Sequence, residues 1–273
     1  MEKEWLEKDI YLFEENCHVQ NDLLHPFAVT DALILRSGRE SIQQIHFWQT
    51  TPSMIMGMMD TRLNHFSEAI QYIKESPYQL VIRNSGGLGI ISDAETLNMT
   101  LFFPQNHERI TIDEGYERMV TLIQQMITEL NSKLAVEVGE VEGSYCPGHF
   151  DLSINGKKFA GIAQRRLKNG LAVMIYLSVS GDQDQRSKWM KAFYQKGLQN
   201  EQSQWQYPKV QPQMMTTLAA ALNIPKLQPK RVKELLLRPL SVKNIENDTL
   251  FKEDYQKAYQ KMKKRNQQFL MIN

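Results

Sequence analysis

The chain has 273 residues, 42% of them hydrophobic and 23% charged, with a formal net charge of +1. That balance describes a globular protein large enough to bury a substantial core, and no apolar run approaches the ~18 residues of a membrane span. Two cysteines, Cys17 and Cys146, are too few for a disulfide framework, so a reducing cytoplasm is the expected compartment and no membrane partner is expected.

In chain order, the opening segment MEKEWLEKDIYLFEEN is acidic and lacks the basic-then-apolar layout of an export signal. HPFAVTDALILRSG predicts a short helix, apolar from Phe27 to Leu35 and stopped at Gly38. IQQIHFWQ and SMIMGM predict strands on either side of a turn at Pro52. NHFSEAIQYIKES places Phe66, Ile70 and Ile73 at helix spacing. YQLVIR predicts a strand running into the loop NSGGLG, and LNMTLFF alternates, with Leu97, Met99 and Leu101 on one face. Thr111 and Glu114 have capping-box spacing ahead of a helix whose stripe of Tyr116, Met119, Ile123, Ile127 and Leu130 reads as core. LAVEVGEV predicts a strand and GLAVMIYLSVSG a long buried one. RSKWMKAFYQKGL opens a mainly helical region broken by Pro208, Pro212, Pro225, Pro229 and Pro239. From Lys226 to Arg265 there are 12 Lys/Arg against 5 Asp/Glu, a local charge of +7 that suits an acidic partner. No aromatic-interleaved basic stripe accompanies it, so nucleic acid is not expected. Strands in the middle and helices at the end predict an α+β class, with helices covering one face of a mixed sheet.

The chemistry concentrates in GSYCPGHFDLSINGKKFAGIAQRR. Asn155-Gly156 between alternating residues predicts a two-residue type I′ hairpin, pairing Ile154 with Lys157 and Ser153 with Lys158. Asp151, Ser153 and Lys158 then share one face, and Leu152, Ile154 and Phe159 the other. Asp151 and Lys158 become diagonal neighbours. Pro147-Gly148 supplies a turn between Cys146 and this strand. A thiol near a cation becomes a nucleophile, whereas a lone cysteine is most often packing material, and spacing leaves both readings open. His149 and Asp151 are the candidates for proton transfer. The six histidines show no metal-ligand spacing, so no metal is expected. RNSGGLG is neither a P-loop nor a dinucleotide fingerprint; its paired glycines suit either a turn or a loop that approaches a ligand.

RNSGG ahead of SDAETLNMTL, followed by GKKFAGIAQRR, resembles the lipoate/biotin protein ligase and octanoyltransferase family over roughly Phe27 to Ser180. The family pattern is an Arg-x-Ser-Gly-Gly loop and a later Gly-Lys-Lys-x-x-Gly hairpin. The resemblance implies that family's catalytic-domain fold, an acyl pocket lined by Arg83, Ser85, Gly86 and Gly87, and contact of Lys158 with the acyl carbonyl beside Gly161. It implies an acyltransferase catalytic domain over residues 1–200, with residues 201–273 as a helical, basic extension packed on it. The family commonly has glycine where this chain has Leu88 and histidine where it has Ser92, departures that point away from ATP-dependent ligation. One branch carries a cysteine in a segment like SYCPGHFDLS and forms an acyl-thioester on it, which implies Cys146 as nucleophile. The RNSGGLG variant resembles the amidotransferases of lipoate assembly. That likeness implies the glycine cleavage H protein as octanoyl donor, lipoyl domains of 2-oxoacid dehydrogenase complexes as acceptors, and no ATP or metal. An octanoyltransferase fed by acyl carrier protein, an ATP-dependent lipoate ligase and a non-catalytic binding module stay open beside it.

Overall fold

The computed structural model describes residues 4–13, 22–106, 109–245 and 249–270; Cys17, whose role the sequence leaves open, lies outside them, with His18 and His107. The strands are Asp9–Phe13 (β1), Gln43–Trp48 (β2), Ser53–Met56 (β3), Gln79–Ile82 (β4), Ile90–Ser92 (β5), Thr96–Pro104 (β6), Glu137–Val138 (β7), Leu152–Ile154 (β8), Lys157–Leu167 (β9), Gly170–Ser178 (β10) and Ser241–Asn244 (β11). The helices are Glu4–Glu7 (α1), His25–Glu40 (α2), Phe66–Lys74 (α3), Ile112–Leu130 (α4), Gln183–Leu198 (α5), Leu218–Ala221 (α6), Pro229–Leu237 (α7) and Thr249–Leu270 (α8). The strands form an eight-stranded sheet, ordered β11-β1-β2-β6-β10-β9-β8-β7, and a three-stranded sheet, β4-β3-β5.

Alternation along β6 and β10 sorts the two faces of the large sheet. Leu97, Met99, Leu101 and Phe103 pair with Leu177, Ile175, Val173 and Leu171, and pack with Met119, Leu122 and Ile123 of α4 and Leu235 and Leu236 of α7. On the other face Phe102 and Ala172 meet Val29, Ala32 and Leu33 of α2 and Phe251 of α8. The class is the expected α+β, but helices cover both faces rather than one. Both faces of β6 are therefore apolar except at Thr96, Asn98 and Thr100, of which Asn98 and Thr100 open onto a cavity on the α2 side.

Three elements depart from their sequence expectations. Gly38 does not stop α2, which runs on to Glu40 and ends with Ser41 in the left-handed region. A Cβ on Gly38 would lie 2.6 Å from the Asn169 carbonyl carbon, so this glycine serves close approach of the helix to the β9–β10 turn. LAVEVGEV forms strand only at the exposed pair Glu137–Val138, at the edge of the sheet. Tyr116 leaves the α4 core stripe and stacks on Phe150, 4.3 Å between ring centroids, at the cavity mouth. The α4 capping box forms as expected: Glu114 N–H donates to Thr111 Oγ1 at 3.2 Å, and Thr111 N–H to Glu114 Oε2 at 2.6 Å.

The C-terminal residues are built into the same body. Strand β11 pairs parallel with β1, α7 packs on α4, and α8 packs along α2. Asn266 of α8 accepts the Ile82 N–H at 2.7 Å and donates to Ile82 O at 3.1 Å, gripping the free edge of β4 one residue before Arg83.

Candidate active site

The glycine-rich loop leaves β4 at Arg83, whose N–H donates to Met56 O at 2.9 Å. Its guanidinium turns back into the loop, Nη2 donating to Gly86 O at 2.7 Å and Leu88 O at 3.0 Å. A second arginine clamps the loop from outside. Arg165 of β9 reaches Asp31 of α2 through Nε and Nη2 at 2.7 and 3.0 Å, while its Nη1 donates to Asn84 O at 2.7 Å. Asn84 Nδ2 donates to the same carboxylate at 2.9 Å. Such a bidentate, hydrogen-bonded pair fixes orientation as well as charge.

Cys146 meets this loop from the opposite side, with its backbone at φ 48° in the left-handed region. Its Sγ accepts the Leu88 N–H at 3.2 Å and lies 3.6 Å from Arg83 Nη2. Gly87, at φ 90°, makes room: a Cβ there would sit 2.4 Å from Arg83 Nη2 and 3.1 Å from Sγ. An amide N–H and a guanidinium thus face one sulfur from the same loop.

Lys158 is 2% exposed, and its ammonium donates to Tyr145 O at 2.9 Å, Cys146 O at 2.7 Å and Asp151 Oδ1 at 3.0 Å. Those three acceptors use all three of its protons. Asp151 accepts the Gly148 N–H at 3.1 Å through its other oxygen. Burial pushes the Asp151 carboxyl above its ordinary pKa, and the neighbouring Lys158 charge opposes that rise.

The hairpin forms as the sequence predicts, Ile154 opposite Lys157 and Ser153 opposite Lys158, with Asn155 and Gly156 both at positive φ. The register then shifts, and Leu152 pairs with Ala160. This bulge changes the parity of β9, so Lys158 and Gly161, three residues apart, share a face. A Cβ on Gly161 would lie 3.6 Å from Lys158 Nζ.

Thiol, lysine and glycine loop line a cavity of about 500 Å³, within the ~300–1,000 Å³ of small-ligand pockets. Its walls are largely apolar, from Phe27, Trp48, Ile55, Ile90 and Met174, with Asn98 and Thr100 as polar interruptions. The structure thus brings together Arg83, Ser85, Gly86, Gly87, Cys146, Asp151, Lys158 and Gly161. It does not bring His149 to the sulfur: that ring is 92% exposed, at the mouth, 4.0 Å from Glu140. Asp31, Asn84 and Arg165 join the site without a motif that marks them in the sequence. A charged residue among the apolar positions of FAVTDALIL was the available signal, since a buried carboxylate needs a partner.

Among the described residues no cluster of three His, Cys, Asp or Glu side chains could hold a metal ion, and no helix is long and apolar enough to cross a membrane. The fold is that of a lipoyl-ligase-type catalytic domain: residues 22–241 match the family described as lipoyl protein ligase A/B catalytic domain, and the chain belongs to that family. It is 41% identical over 203 residues, 74% of this chain and 72% of the relative, to octanoyl-[GcvH]:protein N-octanoyltransferase of Anoxybacillus flavithermus. The protein of the same name in Oceanobacillus iheyensis is 39% identical over 90% of this chain and 89% of its own length. Lipoyl-[GcvH]:protein N-lipoyltransferase of Listeria monocytogenes is 36% identical over 80% and 79%. Among solved structures, lipoate-protein ligase A bound with ATP superposes with a TM-score of 0.70 at 15% identity, covering 93% of this chain and 95% of that one, a likeness of fold.

Proposed function

We propose that this chain moves an octanoyl group from a lysine of the glycine cleavage H protein to a lysine of the lipoyl domains of 2-oxoacid dehydrogenase complexes, through a thioester on Cys146. The observation that carries the reading is the thiol itself, held against an apolar cavity between the Leu88 N–H and the backbone that Lys158 grips. An adenylate-forming ligase has no use for a nucleophile there. The names of the relatives supply the donor.

In this mechanism the Cys146 thiolate attacks the amide carbonyl of octanoyl-lysine. A C–S bond forms, the C–N bond breaks, and the lysine amine leaves with a proton from Lys158. The acceptor lysine attacks the thioester, regenerating thiolate and amide and returning a proton to Lys158. Lys158 steadies the oxyanion at both steps by exchanging one of its backbone carbonyl contacts for the acyl oxygen. Arg83 and the Leu88 N–H face the sulfur, and Asp151 keeps the Lys158 ammonium in place. One lysine amide replaces another, so the exchange is nearly neutral and needs neither ATP nor metal.

Intact-mass spectrometry without ATP tests this, using octanoyl-loaded H protein, an unmodified lipoyl domain and either the chain or Cys146→Ser. Octanoyl on the acceptor only with the intact thiol is the expected outcome. No transfer, from a preparation that accepts octanoyl from acyl carrier protein, would show the donor to be wrong. Transfer by the serine variant would remove the thioester. A second reading, lipoyl instead of octanoyl as the group moved, follows from the name of the Listeria relative, and a lipoyl-loaded donor in the same assay decides it.

A further inference from the structure

Beneath the glycine loop lies a carboxyl that the proposed chemistry leaves unused. Asp60 is fully buried, and its oxygens accept from neutral donors: the Gly57 N–H to Oδ2 at 2.7 Å and the Tyr194 hydroxyl to Oδ1 at 3.0 Å. The Tyr194 oxygen in turn accepts the Gly89 N–H at 3.3 Å. Gly57 packs against Gly87, where a Cβ would fall 1.8 Å from the Gly87 carbonyl oxygen. The carboxyl therefore braces both flanks of Gly87–Gly89, the segment whose central amide meets Cys146 Sγ.

Arg83 links the two acids. Its Nη2 lies 3.6 Å from the sulfur, and its charge also favours the ionised form of Asp60. Tyr194 feels both, since negative charge on Asp60 and on Cys146 each raises its pKa. Two anions that draw on one guanidinium disfavour each other.

We propose that Asp60 is a positioning residue for Cys146: it braces the glycine loop through Gly57 and Tyr194, and its carboxylate competes with the thiolate for the charge of Arg83. The proposal rests on the reading of Cys146 as nucleophile. Burial pushes Asp60 up to about 7, against the pull of Gly57, Tyr194 and Arg83, so its charge changes in the neutral range. Tyr194 and Tyr207 also face it, both with raised pKa, Tyr207 to about 12, so both phenols stay neutral there. Arg62, which acts on Tyr207, lies over the Trp205 ring.

The test is the pH profile of iodoacetamide alkylation at Cys146 in the full chain without acyl donor, read by peptide mass so that Cys17 does not contribute. Asp60→Asn retains an acceptor for Gly57 and a polar contact for Tyr194 while removing the charge. We expect the alkylation rate at neutral pH to rise about threefold or more, with the midpoint of the profile moved to lower pH. Tyr194→Phe, which removes a hydrogen bond that stabilises the carboxylate, moves the midpoint the same way by less, and it carries the test if the Asn variant does not fold. A merely loosened loop would scale the rate at every pH and leave the midpoint in place. That result, or a midpoint moved upward, overturns the proposal. Because alkylation needs no donor, a shifted profile without acyl transfer would defeat only the functional reading. Normal transfer with an unmoved profile would defeat only the role of Asp60.

Discussion

Gly87 is the position where backbone freedom and reactivity meet. Its positive φ and the 2.4 Å approach of a Cβ to Arg83 Nη2 leave no room for a methyl group without moving the guanidinium. Gly87→Ala should therefore lower acyl transfer by about tenfold or more with a smaller change in melting temperature; transfer at the parental rate would contradict this geometry. Lys158 and Asp151 form a buried pair, each side chain 2% exposed. Removing one partner of such a pair costs about 3–5 kcal/mol. Asp151→Ala should thus destabilise the fold in urea far more than Asp151→Asn, which retains an acceptor for Lys158. These two residues, with Cys146 and the glycine loop, could be singled out from the sequence because a hairpin turn and a motif name local partners. Proximity along the chain points to His149 as well, but the Pro147-Gly148 turn sends that ring outward.

At the scale of elements, alternation found most strands and the 3.6-residue spacing most helices. The β9 bulge was invisible, because an extra residue in a strand carries no period of its own. Yet that bulge is why Gly161, rather than Ala160, faces Lys158. Gly38 shows the converse: punctuation in the sequence became a packing contact in the fold. An alanine in mid-helix ordinarily gains about 1 kcal/mol over glycine, but here it meets the Asn169 backbone at 2.6 Å. Gly38→Ala is expected to lower the melting temperature by a few degrees, about the effect of 1–2 kcal/mol of overpacking. Helix α8 reaches the site through Asn266, which satisfies both backbone polar groups of Ile82. Asn266→Ala should cost about 1–3 kcal/mol by leaving them unpaired, and should weaken transfer because Arg83 follows directly.

Across the whole molecule, two charge distributions matter. Asp60 binds its proton more tightly in the folded chain, about 7 against an ordinary 3.8. Its contribution to stability is therefore complete below pH 4 and is lost as pH rises through 7. Asp60→Asn should gain stability relative to the parent between pH 5 and 8, on the order of 2 kcal/mol, measurable as the difference between two urea-unfolding series. The second distribution is the basic stretch around α8, where Lys261, Lys263 and Lys264 are exposed. If it docks an acidic carrier domain, reversing these three charges raises KM for the carrier about tenfold or more with little change in kcat, and the loss shrinks at high salt.

The sequence by itself determined the α+β class, the type I′ hairpin with its register, and the pairing of a lone thiol with a lysine hairpin and a glycine loop. Each is written in neighbours along the chain, as a period, a turn dipeptide or a short motif. Only the tertiary structure decided which donors face the sulfur, that Lys158 grips the backbone around Cys146, and that Asp31, Arg165, Asp60 and Tyr194 hold the loop. Those contacts join residues tens to well over a hundred positions apart. Their partners are set by how two sheets and both helix layers pack, and local patterning carries no record of that.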